Sequence, residues 1–453
     1  MAKILKISQK IVLMSPIYIT IQRKKAQAVF VKLTKVSEKI KKLKSSCCAA
    51  AQKNWKKPTK TTLFFCDNHQ NFKRYFNIFP GYCIIIWYIF TAAHAHWLRE
   101  TECLKTGVLK MARNHEVTER HNLLNRDGTL AEPGWSRSLV QIYNRENIKA
   151  PKFRIKEWDY YLILCDKHAV ALTLSDDGYI GMQSASLLVF DEKNPWEITN
   201  SVLNVFPMGK YNLPRTSDKG DLHYHDKTLD MDFVKNGRTR HIVGEYRNFK
   251  DGKTLKVDIT LDQPPMDTMV IATPWKENKK AFYYNQKINC MRASGYAEFD
   301  GVRYEFNPET DFGTLDWGRG VWTYDNTWNW GSGNGIVNGK PFGFNIGYGF
   351  GDTTAASENV LFYDGKAHKL DDVEFHIPLS GYTDPWKFTS SDGRFEMDFV
   401  PVIDRNAKIS VKVIETDQHQ VFGRLSGKAV LDDGTVLEIK NLMCFAERVR
   451  MKY

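Results

Sequence analysis

The sequence predicts an all-β protein, in which two successive antiparallel β domains of the barrel or sandwich type follow a poorly structured basic leader. Three observations support this fold class. Turn dipeptides recur from residue 111 onward, the runs between them are rich in β-forming residues, and no stretch of that region keeps a helical period. The chain of 453 residues leaves room for two or three domain-sized cores.

The leader differs from the rest of the chain in charge. Residues 1–110 carry 21 Lys and Arg against four Asp and Glu, whereas the remaining residues carry 43 against 48. The net charge of +12 therefore comes from the leader. Because the β region is mildly acidic, we expect no nucleic-acid partner.

Two stretches of the leader allow more than one interpretation. Residues 32–44 can form an amphipathic helix on an anionic surface, but a solvated basic tail fits the same composition. The apolar run 83–90 is shorter than the roughly 20 residues of a membrane span, so a short membrane anchor near residues 81–98 is one alternative. A change of composition at Met111 favours a natural start there. We expect membrane contact through the leader only and a cytoplasmic β region.

The predicted strands are joined by hairpin turns. Asp-Gly and Asn-Gly pairs accept the positive φ angles that two-residue hairpin turns require. Between two of these pairs, Leu255, Val257, Ile259 and Leu261 alternate so that they share one face of a strand. The pairs are Asp127-Gly128, Asp177-Gly178, Asn236-Gly237, Asp251-Gly252, Asp300-Gly301, Asn338-Gly339, Asp364-Gly365, Asp392-Gly393 and Asp433-Gly434.

The β region is too long for one small barrel, so we divide it. We predict a first β domain over residues 111–300 and a second over residues 301–453. Its three cysteines, Cys165, Cys290 and Cys444, are far apart and odd in number, which predicts buried apolar side chains rather than a disulfide framework.

The segment 316–335 is the most informative stretch of the chain. Its indoles supply large apolar walls beside the charges of Asp316 and Arg319, a mixture that suits a lined ligand cavity. Ordinary core packing is the alternative. Strand alternation places Asp316 on one face and Arg319 on the other, so the two charges need not pair. The tryptophans are Trp317, Trp322, Trp328 and Trp330.

Several short blocks resemble the signatures of one family, which is catalogued only as domain of unknown function 2804. The resemblance covers residues of about 121–453. The blocks are Leu124-Asn-Arg-Asp-Gly128, Gly134-Trp135, Lys156-Glu-Trp-Asp159, Phe282-Tyr-Tyr-Asn-Gln-Lys287, Ala293-Ser-Gly295, Asp316-Trp-Gly-Arg-Gly320, Asn345-Ile-Gly347 and Ser357-Glu-Asn359.

A more remote resemblance concerns the Asp-Trp-Gly block and the Trp-x-Trp that follows. They look like those of the lipocalin-like enzymes that include carotenoid hydratase and tocopherol cyclase. This resemblance implies two lipocalin-like domains of the calycin type and a lipophilic ligand. Carotenoid hydratases carry a His-Asp pair where this chain has Leu315-Asp316, which puts the transfer of their chemistry in doubt.

We therefore expect a protein that binds an apolar or amphipathic small molecule, either without turnover or as a cofactor-independent hydratase, cyclase or isomerase. A carbohydrate-binding or glycoside-acting protein, or a structural module without a ligand, are the alternatives. The candidate catalytic residues are Asp316, Arg319, Tyr324 and Glu358. The candidate ligand-binding residues are Trp317, Trp322, Trp328, Trp330, Asn359, Tyr283, Asn285 and Lys287.

Two further patterns predict the absence of a metal or cofactor. His223 and His225 would share one strand face, but the sequence offers no recognisable third ligand, so we expect them to face solvent. The glycine-rich stretch 331–335 lacks the Lys and Ser/Thr of a phosphate-binding loop. We predict no metal site and no cofactor.

Overall fold

The computed structural model describes residues 114–411 and 414–452. The predictions for the leader, including the anchor near residues 81–98, lie outside these residues. None of the helices in the described part of the chain has the length and apolar character that a membrane span requires.

The described residues confirm the all-β prediction. Two 3-10 helices, Arg145–Asn147 and Lys152–Arg154, are the only helical turns among them, and both precede the first long strand. The strands are β1 (His121–Asn122), β2 (Gly134–Ser136), β3 (Gln141–Ile142), β4 (Ile155–Leu164), β5 (His168–Asp176), β6 (Ile180–Val189), β7 (Trp196–Val205), β8 (Leu222–His225), β9 (Leu229–Asn236), β10 (Thr239–Lys250), β11 (Lys253–Asp262), β12 (Met269–Pro274), β13 (Phe282–Phe299), β14 (Val302–Phe306), β15 (Phe312–Val321), β16 (Asp325–Val337), β17 (Lys340–Tyr348), β18 (Val360–Tyr363), β19 (Lys366–Lys369), β20 (Val373–His376), β21 (Trp386–Ser390), β22 (Phe395–Val411), β23 (Ile414–Val430) and β24 (Val436–Lys452).

The strands form two large curled antiparallel sheets, each a half-barrel. The first sheet has 13 strands, and its main path runs β7-β6-β5-β4-β15-β13-β11-β10-β9-β8. The second has nine strands in the order β19-β18-β17-β16-β24-β23-β22-β21-β20. A separate parallel pair, β1 and β3, lies outside both.

Eight of the nine predicted turns join paired neighbouring strands, whereas Asp127-Gly128 lies within an isolated bridge between Leu124 and Leu130. In Asp251-Gly252, Asp300-Gly301, Asn338-Gly339 and Asp364-Gly365, both residues have positive φ. That backbone conformation matches the twist of the flanking strands and needs residues that tolerate the left-handed region. The turn chemistry in the sequence therefore fixes β10–β11, β13–β14, β16–β17 and β18–β19.

Three apolar cores follow from the two sheets. One fills the first half-barrel, one fills the second, and a third lies between the sheets and draws residues from both. The chain passes from the first sheet to the second between Val321 and Asp325, later than the boundary at residue 300. The division into two domains at that boundary stays a prediction.

At a bulge in β13, a side chain of the first sheet forms hydrogen bonds with the second sheet. Cys290 has a φ of 59°, and the pairing of β13 with β15 shifts register there. The preceding Asn289 donates from Nδ2 to Ser332 Oγ at 2.9 Å and to the Phe344 carbonyl at 3.2 Å. Because bulges re-aim side chains, this one turns a polar side chain of the first sheet onto β16 and β17 of the second.

Gly295, also in β13, is expected to resist substitution. Its φ is +112°, and a Cβ added there would lie 2.1 Å from the Asp258 carbonyl oxygen. We expect Gly295→Ala to lower the free energy of unfolding, measured by urea titration, by about 2–3 kcal/mol. Gly339→Ala is the matched control, because Gly339 has a φ of +75° with open space around it. Equal losses of unfolding free energy in the two variants would show that the contact with the Asp258 carbonyl does not add to the cost at Gly295.

Candidate functional site between the two sheets

Strand β15 divides the tryptophan-rich segment between two cores. Trp317 packs in the first half-barrel, where its ring lies edge-on to Tyr143 and Tyr284. The neighbouring Gly318 faces the other way, since a Cβ added there would lie 2.0 Å from the indole of Trp158. The predicted alternation is therefore present, and only the side of Asp316 and Gly318 faces the second sheet.

Arg319 is fully buried on the first half-barrel side. Its guanidinium donates to the carbonyls of Trp158 and Pro214 at 2.7 and 2.8 Å and to Asp159 Oδ1 at 2.9 Å. It also lies over the Trp317 ring, with Cζ 4.2 Å from the centroid. These partners occupy most of its donors, so Arg319 ties strands and a loop together beneath the site and does not point into it.

Three of the predicted tryptophans meet in the core between the sheets, which we call the intersheet cluster. Trp322 lies edge-on to Trp328, with centroids 5.3 Å apart, and Trp328 lies 5.8 Å from Phe350. Trp330 contacts Phe445 at 4.7 Å. The rings contact one another, so any guest molecule would enter by separating them. The cluster includes Trp158, Tyr160, Tyr283, Trp322, Trp328, Trp330 and Phe350.

A buried ion pair lies against these rings. Lys287 Nζ is 2.9 Å from Asp316 Oδ1, and their side chains are 1% and 10% exposed. Asn285 donates to the same Asp316 oxygen at 2.6 Å, and Lys287 Nζ lies 3.8 Å from the centroid of Trp330. Lys287 and Asn285 come from β13 and Asp316 from β15, so the pairing register brings them together. The structure therefore brings together four predicted site residues: Asp316, Lys287, Asn285 and Trp330.

Glu358 is the most unusual group of the site. The residue is 3% exposed, and neither of its carboxyl oxygens has a hydrogen-bond partner. Burial raises the pKa of Glu358 to about 7; the charge of Lys287 opposes the shift and that of Asp316 adds to it. A Cβ on Gly347 would lie 2.3 Å from Glu358 Oε1, so the glycine leaves room for the carboxyl group.

A second buried carboxyl group, Glu447 on β24, was missed at the sequence level. It accepts from Trp328 Nε1 and from Gln420 Nε2, both at 3.0 Å. Burial raises the pKa of Glu447 to about 7 as well. The signal was present, since Glu447 ends the apolar run that starts at Met443. Both carboxyl oxygens of Glu447 thus accept hydrogen bonds that hold the group in place, in contrast to those of Glu358.

Two buried tyrosines add unused hydroxyl groups. Tyr283 and Tyr160 have hydroxyls without a hydrogen-bond partner. Tyr283 stacks on Phe350 at 4.9 Å, and Tyr160 lies edge-on to Trp330 at 6.1 Å. Burial, then the charge of Glu358, raises the pKa of Tyr283 well above its ordinary value. The site is thus rich in buried polar atoms that face no partner, which native cores usually avoid.

Other predicted residues lie apart from the intersheet cluster or have structural partners. Asn359 accepts from Gly347 N at 2.7 Å and donates to the Asp371 carbonyl at 2.8 Å, which uses both ends of its amide. Tyr324 is 45% exposed in the connection between the sheets. Asp325, at the start of β16, is exposed and pairs with Arg450 at 3.0 Å.

A groove of about 460 Å³ lies elsewhere, beside the parallel pair of β1 and β3. Its rim carries the basic residues Arg120, Arg215 and Lys219. Arg215 pairs with the exposed Glu146 at 2.8 Å. The groove shares no lining residue with the predicted site.

Comparisons with known proteins place the chain in a family. Three solved structures are similar to it: a protein assigned as an AttH from Nitrosomonas europaea (11% identity, 68% of this chain and 96% of that one, TM-score 0.41), kievitone hydratase from Nectria haematococca (10%, 74% and 98%, 0.43) and CghA (10%, 74% and 98%, 0.32), which is also solved with Sch210972. No curated protein matches the chain significantly. The family model described as domain of unknown function (DUF2804) matches residues 114–453, in agreement with the sequence motifs. The chain therefore belongs to the DUF2804 family.

Proposed function

We propose that the intersheet cluster binds an apolar or amphipathic small molecule that carries a carbon–carbon double bond, and that Glu358 donates a proton to it. The observation that carries this proposal is the buried Glu358 carboxyl group, whose oxygens make no hydrogen bond shorter than 3.5 Å with the protein. Its burial raises the pKa to about 7. A general acid is most effective when its pKa lies near the working pH. Glu358 is therefore poised to donate a proton.

Asp316 is less suited to the role of acid that the sequence suggests first. Its Oδ1 accepts from both Lys287 and Asn285. Two donors of the protein therefore already occupy this oxygen. In our proposal, Asp316 positions Lys287, whose ammonium group lies over the Trp330 ring and sets the local charge.

The reaction class follows from the aromatic rings of the intersheet cluster. Transfer of its proton to an alkene carbon leaves a carbocation, and the faces of Trp322, Trp328 and Tyr283 can stabilise positive charge. Water, or a nucleophile within the substrate, then adds to the cation, and the proton it loses returns to Glu358. The net change is hydration or cyclisation, and loss of a neighbouring proton instead gives isomerisation. None of these requires a cofactor.

Extraction of the purified protein with organic solvent, followed by mass spectrometry, tests this function. We expect one class of apolar compound from Glu358→Gln, which should bind it without consuming it. Added back to stripped protein, it should change the tryptophan fluorescence, because a guest must separate the indoles. The wild type should convert it to a product of the same mass or of the mass of one added water, whereas Glu358→Gln should bind it and leave it unchanged.

The matched control is Glu374→Gln, since Glu374 is an exposed residue on β20. It should convert the compound as the wild type does. A compound that Glu358→Gln converts at the wild-type rate would remove Glu358 from the mechanism. Binding that leaves the fluorescence of Trp322, Trp328 and Trp330 unchanged, as judged by phenylalanine replacements, would place the ligand elsewhere.

A further inference from the structure

The hairpin of β8 and β9 brings together two histidines and an aspartate. His223 and His225 alternate with buried residues on β8, so both side chains lie on the outer face. The antiparallel register places Asp232 opposite His223 and Asp230 opposite His225. Two imidazoles two residues apart on one strand, with a carboxylate on the next strand, form a three-sided arrangement.

The three candidate ligand atoms already point at one another. His223 Nδ1 is 2.6 Å and His225 Nε2 is 3.0 Å from Asp232 Oδ1. All candidate ligand atoms of the trio lie within 4.8 Å of one another. In tetrahedral coordination with metal–ligand distances of about 2.0–2.1 Å, neighbouring ligand atoms are about 3.3 Å apart. The two distances to Asp232 would therefore have to lengthen by about 0.7 and about 0.3 Å to admit an ion, shifts that exposed side chains can make.

A second carboxylate orients one of the histidines. His225 Nδ1 is 3.2 Å from Asp230 Oδ1, and Asp230 in turn accepts a hydrogen bond from Arg247. A proton held on Nδ1 by Asp230 leaves the lone pair of Nε2 directed at the site. Histidines that bind metals commonly donate their other ring nitrogen to a carboxylate in this way.

We propose that His223, His225 and Asp232 bind a divalent transition-metal ion of the zinc class. Two imidazole nitrogens and one carboxylate oxygen suit this class, and the exposed side leaves further positions for water. The prediction that the two histidines face solvent agrees with the structure, and Asp232 adds the third candidate ligand that the sequence did not reveal. The third ligand escaped notice because it comes from the neighbouring strand and is placed by the hairpin register.

The ion would link the edge strand β8 of the first sheet to its neighbour β9. β8 has four residues and is the terminal strand of the main path, paired with β9 alone. An ion bound by residues of both strands favours the paired state, since binding to the folded form adds to stability. The site therefore has an expected structural effect that does not depend on the proposed reaction.

Isothermal titration of the untagged full-length protein with zinc chloride tests this inference. We expect one equivalent bound, with affinity lowered at least about tenfold in His223→Ala and in Asp232→Ala, and about tenfold in Asp230→Ala. Cobalt(II) should give visible absorption bands in the wild type that His223→Ala lacks. His241→Ala is the matched control, because His241 is similarly exposed and is 2.7 Å from Asp258. It should bind zinc within about twofold of the wild type.

Three results would contradict the proposed metal site. Zinc binding of the same strength in His223→Ala, Asp232→Ala and the wild type would overturn the site, as would absence of binding by the wild type. A loss in His241→Ala equal to that in His223→Ala would show nonspecific binding by surface histidines. Circular dichroism of each variant establishes that the fold is kept.

Discussion

Replacing Lys287 with methionine is expected to lower the free energy of unfolding by about 3–5 kcal/mol. Methionine keeps most of the volume against Trp330 but removes the ammonium group that pairs with Asp316. The remaining carboxylate is then buried with only Asn285 as a hydrogen-bond donor in the site. Leaving one charge of a buried pair without its partner costs far more than the pair contributes. Urea titration measures the loss.

Two further variants make this prediction specific. Lys340→Met removes an exposed lysine that is 3.1 Å from Asp364, and it should cost less than about 1 kcal/mol. In the double variant Lys287→Met/Asp316→Asn, the second change removes the stranded charge and should recover a large part of the loss. A cost at Lys287 no larger than at Lys340 would contradict the buried pair, and so would a double variant less stable than the single one.

The second prediction with a large effect concerns the pH dependence of stability at Glu358. Its ordinary pKa of 4.5 rises to about 7 in the folded protein. Between these values the folded state keeps a proton that the unfolded state releases. Stability from this group is therefore present at low pH and falls as pH rises from about 4.5 to about 7, on the order of 1 kcal/mol per pH unit.

Glu358→Gln should remove this contribution. The variant should lose less stability than the wild type over that window, in urea titrations at pH 5, 6, 7 and 8. Glu447 contributes a similar slope of its own and remains in the variant. The exposed Glu374→Gln should keep the wild-type profile. Parallel profiles for Glu358→Gln and the wild type would mean that Glu358 titrates as it does in water.

The sequence predicts the fold well because its strongest signals are local. Asp251-Gly252 and Asn338-Gly339 specify hairpins through two backbone angles each, and both form. Alternation in β15 likewise assigns Trp317 and Asp316 to opposite faces from the pleat alone. Such features depend on neighbours in the chain and need no knowledge of the tertiary structure.

The site was predicted less completely because its contacts are not local. Trp322, Trp328, Trp330 and Glu358 were identified by composition and motif, but the partner of Asp316 could be known only once β13 and β15 were paired. In the sequence, Asn285 and Lys287 alternate with Tyr284 and Gln286, a pattern that an edge strand with one solvated face explains equally well. In the structure, that face is turned toward the second sheet.

The contacts of Glu447 are also distant in sequence, so sequence patterns do not reveal them. Glu447 lies on the last strand, and its partners Trp328 and Gln420 are far away in sequence. Arg319 belongs to the same motif as Asp316, yet its guanidinium donates to backbone carbonyls and to Asp159 in the first half-barrel. A motif records which residues matter together but not whether they bind one another or a ligand.

Infrared difference spectroscopy across a pH titration tests most directly whether Glu358 holds a proton near neutral pH. The account predicts carbonyl bands of protonated carboxyl groups at pH 6 that fade as the pH passes about 7; Glu358→Gln should lack the contribution of Glu358 and keep that of Glu447. A spectrum in which the wild type and Glu358→Gln show the same bands at every pH between 5 and 8 would contradict it.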